Sequence, residues 1–204
     1  NLFFEANGFL KQQTQPFVAV IQTADNHRPY TIPKEDEANF KKVSYPTDTL
    51  NKYGFESNLE MNAFRYTDYC IQHFIEAAKK EKYFRNTIFV FVGDHGIRGN
   101  AGNMFPRAWT DNALTSEHVP LLFYAPSLLQ PALRTDICSQ IDIFPSVASL
   151  SGQAFHNYTL GRNLFDNSDT TPDETIRQCA FIFDPESRRI GMVDSNFFYS
   201  RPIS

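Results

Sequence analysis

The stretch that decides the fold is TIFVFVGDHG, residues 87–96. Its first six residues are mostly apolar and β-branched and they stop at a glycine, which predicts a strand buried on both faces. Ligands of open α/β sheets collect at the carboxyl ends of such strands, and this stretch places Asp94 and His95 there. A carboxylate and an imidazole suit a divalent ion such as zinc or manganese. A strand that simply ends in a polar turn is the alternative.

Two further motifs follow this strand, EHVPLLFYAP at residues 117–126 and SQIDIFPSVASLSG at residues 139–152. A loop of sequence DNHRPY, residues 25–30, precedes it. In this order, the motifs resemble the sulfatase-like branch of the alkaline phosphatase superfamily. Within that branch they are most similar to the lipoteichoic acid synthase and phosphoglycerol transferase group. The resemblance extends from about Pro16 to Tyr199.

The resemblance implies an α/β, alkaline-phosphatase-like three-layer fold, with a mostly parallel sheet, one antiparallel strand and a small C-terminal antiparallel hairpin. Residues 17–23 and 87–92 are predicted to be parallel strands joined through a helix. Residues 119–125 should run antiparallel to them, because only then does His118 reach the edge that holds Asp94. We expect residues 1–204 to be the C-terminal portion of a sulfatase-like catalytic domain, with the hairpin at about 180–204 in the same domain.

Helix signals surround these strands. Ser57 and Glu60 form a capping-box pattern, and the helix that they open has apolar residues at helical spacing, namely Ala63, Tyr66, Cys70, Phe74 and Ala77. His73 on this helix is interpreted as a surface or packing residue. Asp142 is interpreted as the N-cap of a later helix rather than a catalytic carboxylate. Residues 166–176 are predicted to form an exposed loop.

Family likeness also implies roles for the polar residues at the strand ends. Asp94 and His95 correspond to metal ligands, and His27 and His118 to catalytic residues that contact the phosphate or the leaving group. Arg28 corresponds to a substrate-binding position, with an ordinary surface arginine as the alternative. The expected cofactor is one divalent metal ion, manganese or zinc rather than calcium or magnesium. A chain with only two of the family's four ligands is expected to hold that ion weakly or not at all.

Composition limits the partners. The net charge is −4 and the lysines and arginines do not cluster, which argues against a nucleic-acid partner because phosphate binding requires a positive surface. No apolar run approaches the roughly 20 residues of a membrane span. The three cysteines form no CxxC pair, so neither a zinc knuckle nor a redox motif is indicated.

The implied reaction is metal-dependent displacement at a phosphate or sulfate ester, through a covalent enzyme intermediate. We expect phosphoglycerol-type transfer by a membrane-tethered protein whose active domain lies outside the cytoplasm, in the periplasm or on the outer face of the membrane. The expected substrate is an anionic phospholipid or another phosphate or sulfate ester. Upstream membrane helices and an N-terminal half of the domain are expected as further segments.

No nucleophile can be assigned within residues 1–204, so we expect the full-length protein to be an enzyme and this chain alone to be inactive. Two alternatives within the same chemistry are a sulfatase and a phosphoethanolamine transferase. A third, of another class, is a non-catalytic sulfatase-like domain that only binds a ligand.

Overall fold

A computed structural model describes residues 2–102, 104–166, 179–185 and 187–203. The chain divides into two compact units, Asn1–Leu129 and Gln130–Ser204. The expectation of one catalytic-domain portion stays a prediction. The loop predicted at 166–176 lies, from residue 167 onward, outside the described residues.

The first unit contains most of the helical structure. Its α-helices are α1 (Leu2–Leu10), α2 (Thr47–Lys52), α3 (Asn58–Ala78) and α4 (Arg107–Asp111). Short 3₁₀ turns lie at Lys34–Asp36, Phe84–Asn86 and Leu114–Ser116. The segment at residues 29–56 contains two short helical pieces, Lys34–Asp36 and α2.

Helix α3 begins where its capping signal predicts. The Ser57 hydroxyl accepts a hydrogen bond from the Glu60 backbone N–H at 3.1 Å. The Glu60 carboxylate accepts from the backbone N–H of Glu56 at 2.7 Å, one residue before the position that a capping box normally uses. The Ser57 bond satisfies a backbone donor that a helix start otherwise leaves unpaired, and the helix begins at Asn58, so the prediction for this helix is confirmed.

The apolar face of α3 forms the core of this unit. It packs with side chains of α1, of the loop before α2 and of the first strand, in a buried cluster of Phe3, Phe40, Tyr66, Cys70, Phe74, Ala78 and Phe89. His73 lies beside this face, with its ring edge-on to Tyr69 at a centroid distance of 4.3 Å. It is a packing residue, as predicted.

Strands β1 (Phe89–Val92) and β2 (Leu121–Tyr124) pair antiparallel, with Phe89 opposite Tyr124 and Val92 opposite Leu121. The predicted antiparallel strand is thus confirmed. This register places the carboxyl end of β1 beside the amino end of β2. The segments that carry GDHG and His118 therefore meet at one end of the ladder.

The predicted strand at residues 17–23 is wrong for this structure, and so is its parallel pairing with β1. Among the described residues the ladders are antiparallel, and residues 17–23 belong to none of them. Ile21 packs against the core, but Val18 and Val20 are 95% and 90% exposed. An apolar run predicts burial, whereas a strand also needs a neighbouring backbone to pair with, and the run does not reveal one.

The second unit contains a 3₁₀ turn at Gln140–Asp142, helix α5 (Ile143–Leu150) and strands β3 (Ala180–Asp184), β4 (Arg189–Val193) and β5 (Phe198–Pro202). The strands form an antiparallel meander in the order β3-β4-β5. The predicted C-terminal hairpin is therefore present, and a third strand extends it.

Asp142 directly precedes α5, as predicted, but its side chain does not cap that helix. The carboxylate instead turns back to accept the Ser139 backbone N–H at 2.8 Å and accepts the Arg162 N–H at 2.8 Å. It is 4% exposed. The capping interpretation is therefore confirmed in another form: the buried carboxylate closes a capping box with Ser139 at the start of the helical segment and also holds the loop at Arg162.

Candidate functional site

All of the predicted site residues lie in the first unit, and a close backbone contact organises part of them. The Gly96 N–H donates to the Ser116 carbonyl at 2.8 Å, and the Gly93 N–H donates to the Pro120 carbonyl at 3.3 Å. A Cβ atom at position 96 would lie 2.1 Å from the carbonyl oxygen of Thr115. Only glycine permits this approach, which brings the segment before β2 against the GDHG turn.

Asp94 and His95 present one ligand atom each to the same side of this turn. The Asp94 Oδ1 atom accepts the His95 backbone N–H at 2.9 Å. His95 Nδ1 lies 2.8 Å from the Gly96 carbonyl oxygen, which can only accept, so Nδ1 carries the proton and Nε2 carries the lone pair. The Asp94 Oδ2 and His95 Nε2 atoms are 3.9 Å apart, and the two side chains are 77% and 66% exposed.

This pair fits a divalent ion as part of a larger ligand set. With bonds of about 2.1 Å, two ligands of a tetrahedral zinc ion are about 3.4 Å apart, so a small rotation of either side chain suffices. A backbone carbonyl that fixes the imidazole tautomer is the usual support of a metal-binding histidine. Across the described residues no group of three or more His, Cys, Asp or Glu side chains is arranged to hold a metal. Among the described residues the pair would accordingly supply two ligands of such a set.

His118 packs against two aromatic rings on the loop that connects β1 to β2. Phe105 and Trp109 stack with centroids 4.1 Å apart and planes 13° apart. The His118 ring is perpendicular to both, 5.7 Å from Phe105 and 5.1 Å from Trp109. Sequence reasoning missed this pair, although two large aromatic residues at helical spacing in a loop beside GDHG were an available signal.

His27 and Arg28 lie on a separate turn that α3 supports. The His27 Nδ1–H donates to the Arg28 carbonyl at 2.7 Å, so Nε2 is the acceptor nitrogen of this ring as well. The Asn26 side chain accepts from the Thr67 hydroxyl at 2.7 Å. These contacts anchor the turn on the middle of α3.

The Arg28 guanidinium forms an ion pair with Glu56 at 2.5 Å, and hydrogen bonding with Tyr30 together with the Glu56 charge raises the pKa of Arg28. In this structure Arg28 is thus a surface ion-pair residue. The backbone hydrogen bonds of Gly93 and Gly96 bring the turn that carries Asp94 and His95 against the segment that carries His118.

The convergence of the Asp94, His95, His118 and His27 side chains in one cleft stays a prediction.

Asp25, which begins the His27 turn, gives a pH-dependent prediction. Burial and then the nearby Asp36 carboxylate raise its pKa above the ordinary 3.8. The folded state therefore binds this proton more tightly than the unfolded state, and stability falls as the pH rises from 3.8 through the raised folded value. We expect Asp25→Asn to unfold at higher urea concentration than the unsubstituted chain at pH 7, with no gain at pH 3.

The matched control for Asp25→Asn is Asp68→Asn, since Asp68 is an exposed carboxylate on α3. It should change the urea midpoint little at either pH. An Asp25→Asn chain that is less stable than the unsubstituted chain at pH 7 would show that the carboxylate makes a favourable contact which outweighs its burial.

Comparison with known proteins agrees with this architecture. The sulfatase family model matches residues 1–153, and the chain belongs to that family. It is 28% identical over 183 residues to the lipoteichoic acid synthase-like protein YvgJ of Bacillus subtilis (strain 168), covering 85% of this chain and 28% of YvgJ. It is 28% identical over 178 residues to lipoteichoic acid synthase 1 of the same organism, covering 82% of this chain and 26% of that protein.

A solved structure shows the same fold. It is a protein in the alkaline phosphatase superfamily from Vibrio parahaemolyticus, with a TM-score of 0.70 and 23% identity over 98% of this chain and 43% of that one. The predicted alkaline-phosphatase-like fold and the family resemblance are therefore confirmed, whereas the ladders of the described residues are antiparallel and not mostly parallel. The chain spans about a quarter of the length of the curated relatives it matches. Within its described residues, every helix is too short or too polar to cross a bilayer.

These comparisons establish the sulfatase family and an alkaline-phosphatase-like fold for this chain. The finer predictions, on the substrate and on each side chain, go beyond that result.

Proposed function

We propose that this chain supplies the Asp94, His95 and His118 side of the active site in a metal-dependent transferase of phosphoglycerol type. The observation that carries the proposal is the Asp94–His95 pair. Its Oδ2 and Nε2 atoms lie 3.9 Å apart, and the Gly96 carbonyl fixes the tautomer that leaves Nε2 as a ligand. The names of the relatives, lipoteichoic acid synthases and their like, support phosphate rather than sulfate.

Each side chain then has a distinct task. When bound at Asp94 and His95, a manganese or zinc ion would neutralise charge on the transferring group and activate a hydroxyl nucleophile. His118 gives a proton to the leaving oxygen as a general acid. His27 contacts the phosphate through Nε2 when that nitrogen also carries a proton and donates it, because the Nδ1–H is already donated to the Arg28 carbonyl. Arg28 binds the anionic headgroup by exchanging its Glu56 partner for it.

The remaining parts of the proposal concern the full-length protein. The substrate is an anionic phospholipid or a related ester, and the protein is tethered so that the active domain faces outward from the cytoplasmic membrane. The nucleophile and the other metal ligands come from an N-terminal half of the catalytic domain. Relatives about three times as long as this chain leave room for these segments.

The test compares two substrates in the natural full-length protein with added manganese. We expect turnover of bis(p-nitrophenyl) phosphate that a chelator removes, and at most a small fraction of that rate with p-nitrophenyl sulfate. The 204-residue chain alone should turn over neither. Because the matched family is named for sulfatases, a faster reaction with the sulfate ester is the outcome that would replace the transferase proposal by sulfate hydrolysis. Absence of both reactions in metal-loaded full-length protein would instead support a non-catalytic binding domain.

A further inference from the structure

We infer that Phe105 and Trp109 are positioning residues that hold the His118 ring in its working orientation. This inference rests on the proposed role of His118 and names the residues that position its ring. The contact itself is a geometric feature of the structure, independent of the reaction.

The aromatic pair limits how His118 can rotate. The Phe105 and Trp109 rings stack at 4.1 Å, and the imidazole stands at 84° to both planes. Perpendicular contacts of this kind are a favoured arrangement of aromatic rings. Since His118 is an exposed residue, its side-chain torsions would otherwise sample several rotamers. Contact with two half-buried rings selects one of them.

Hydrogen bonds across the loop hold the stacked rings of Phe105 and Trp109 in place. The Thr110 hydroxyl accepts the Ala101 backbone N–H at 3.0 Å, and the Thr115 hydroxyl accepts the Gly99 N–H at 3.2 Å. Ala101 and Leu114 of this loop are buried, at 2% and 8% exposed. The same loop begins at the GDHG turn and ends at His118, which fixes the aromatic pair relative to the backbone of the proposed metal ligands.

A fixed imidazole matters because general acid catalysis depends on the position of the proton donor. Displacement of a catalytic group by about 1 Å can cost on the order of 10²-fold in rate. Loss of the indole ring should consequently lower kcat, since the donor is misplaced in the transition state, and leave KM nearly unchanged. A residue that contacts the substrate directly would change KM as well.

The experiment is a double-mutant cycle in the natural full-length protein, assayed with bis(p-nitrophenyl) phosphate and manganese. We expect His118→Gln to lower kcat on the order of 10²-fold and Trp109→Leu on the order of tenfold. Trp109→Leu in the His118→Gln background should cost nothing further, because a residue that acts through His118 has nothing left to position. Trp109→Phe, which keeps an aromatic ring, should retain most of the rate.

Arg107→Ala is the matched control, since Arg107 lies on the same short helix with its side chain 90% exposed, and it should leave kcat unchanged. If Trp109→Leu melts below the assay temperature, Phe105→Leu removes the other half of the stack. A Trp109→Leu protein with normal kcat, or two losses that multiply in the double variant, overturns the inference while the role of His118 stands.

A second readout needs no activity. Trp109 is the only tryptophan of the 204 residues, and its ring current should shift the His118 ring protons in the NMR spectrum of this chain. Trp109→Leu should move those signals towards random-coil positions, and signals that do not move overturn the contact. If the signals move but His118→Gln leaves kcat unchanged, the proposed role of His118 is wrong and the positioning role is lost with it.

Discussion

Asp94→Ala in the natural full-length protein is expected to abolish metal binding and turnover together. Its Oδ2 atom lies 3.9 Å from His95 Nε2, so the substitution removes one of the two ligands that we propose for this chain. Loss of a residue that only hydrogen-bonds to a metal ligand typically lowers metal affinity 10–100-fold. We expect loss of the ligand itself to lower the affinity more than about 100-fold. Metal content of the purified protein and kcat/KM at saturating manganese measure the two effects.

His118→Gln is the variant that separates the two roles. The variant should bind as much metal as the unsubstituted protein and still lose on the order of 10²-fold in rate, because the proposed role of His118 is to donate a proton to the leaving oxygen. An Asp94→Ala protein that retains a full complement of metal would contradict the assignment of the pair. A His118→Gln protein that loses its metal would make His118 a ligand rather than an acid.

Asp142→Ala is expected to cause the largest loss of stability among single substitutions in the second unit. The carboxylate is 4% exposed and accepts two backbone N–H groups, from Ser139 and Arg162, each at 2.8 Å. Leaving a buried donor without an acceptor costs about 1–3 kcal/mol, so we expect a loss of about 3 kcal/mol in the free energy of unfolding. Guanidinium denaturation of the 204-residue chain measures it.

Asp142→Asn provides the graded control, since its one carbonyl oxygen can accept one of the two N–H groups. It should lie between alanine and the native residue in stability. If both variants unfold within about 0.5 kcal/mol of the native chain, the size expected of ordinary surface substitutions, the structural role is wrong. An effect on the rate of the full-length protein without a loss of stability would then make Asp142 a catalytic candidate again.

The sequence alone predicted the elements whose signals are local. The β1 strand and its GDHG turn are specified by a short apolar run and two glycines, and the start of α3 by Ser57 and Glu60. The antiparallel course of β2 followed from the resemblance, because His118 precedes that strand. The reason for the second glycine, Gly96, is that a Cβ atom there would lie 2.1 Å from the Thr115 carbonyl oxygen. No sequence pattern reveals that contact.

Contacts between distant residues could not be predicted in this way. The apolar run at residues 17–23 predicts a strand, but pairing depends on a neighbour that the run does not name. Arg28 is equally compatible with substrate binding and with a surface pair, and its partner Glu56 lies 28 residues away. Asp142 at a helix start has the pattern of a cap, and only the fold brings Arg162 to its second oxygen.

The most direct test of the account is anomalous diffraction from crystals of the natural full-length protein grown with manganese. We predict an anomalous peak within coordination distance of both Asp94 Oδ2 and His95 Nε2, with the His118 ring in the same cleft and outside bonding distance of the ion. A manganese peak that neither side chain contacts, or a His118 ring on the far side of the β1–β2 ladder, would contradict the account.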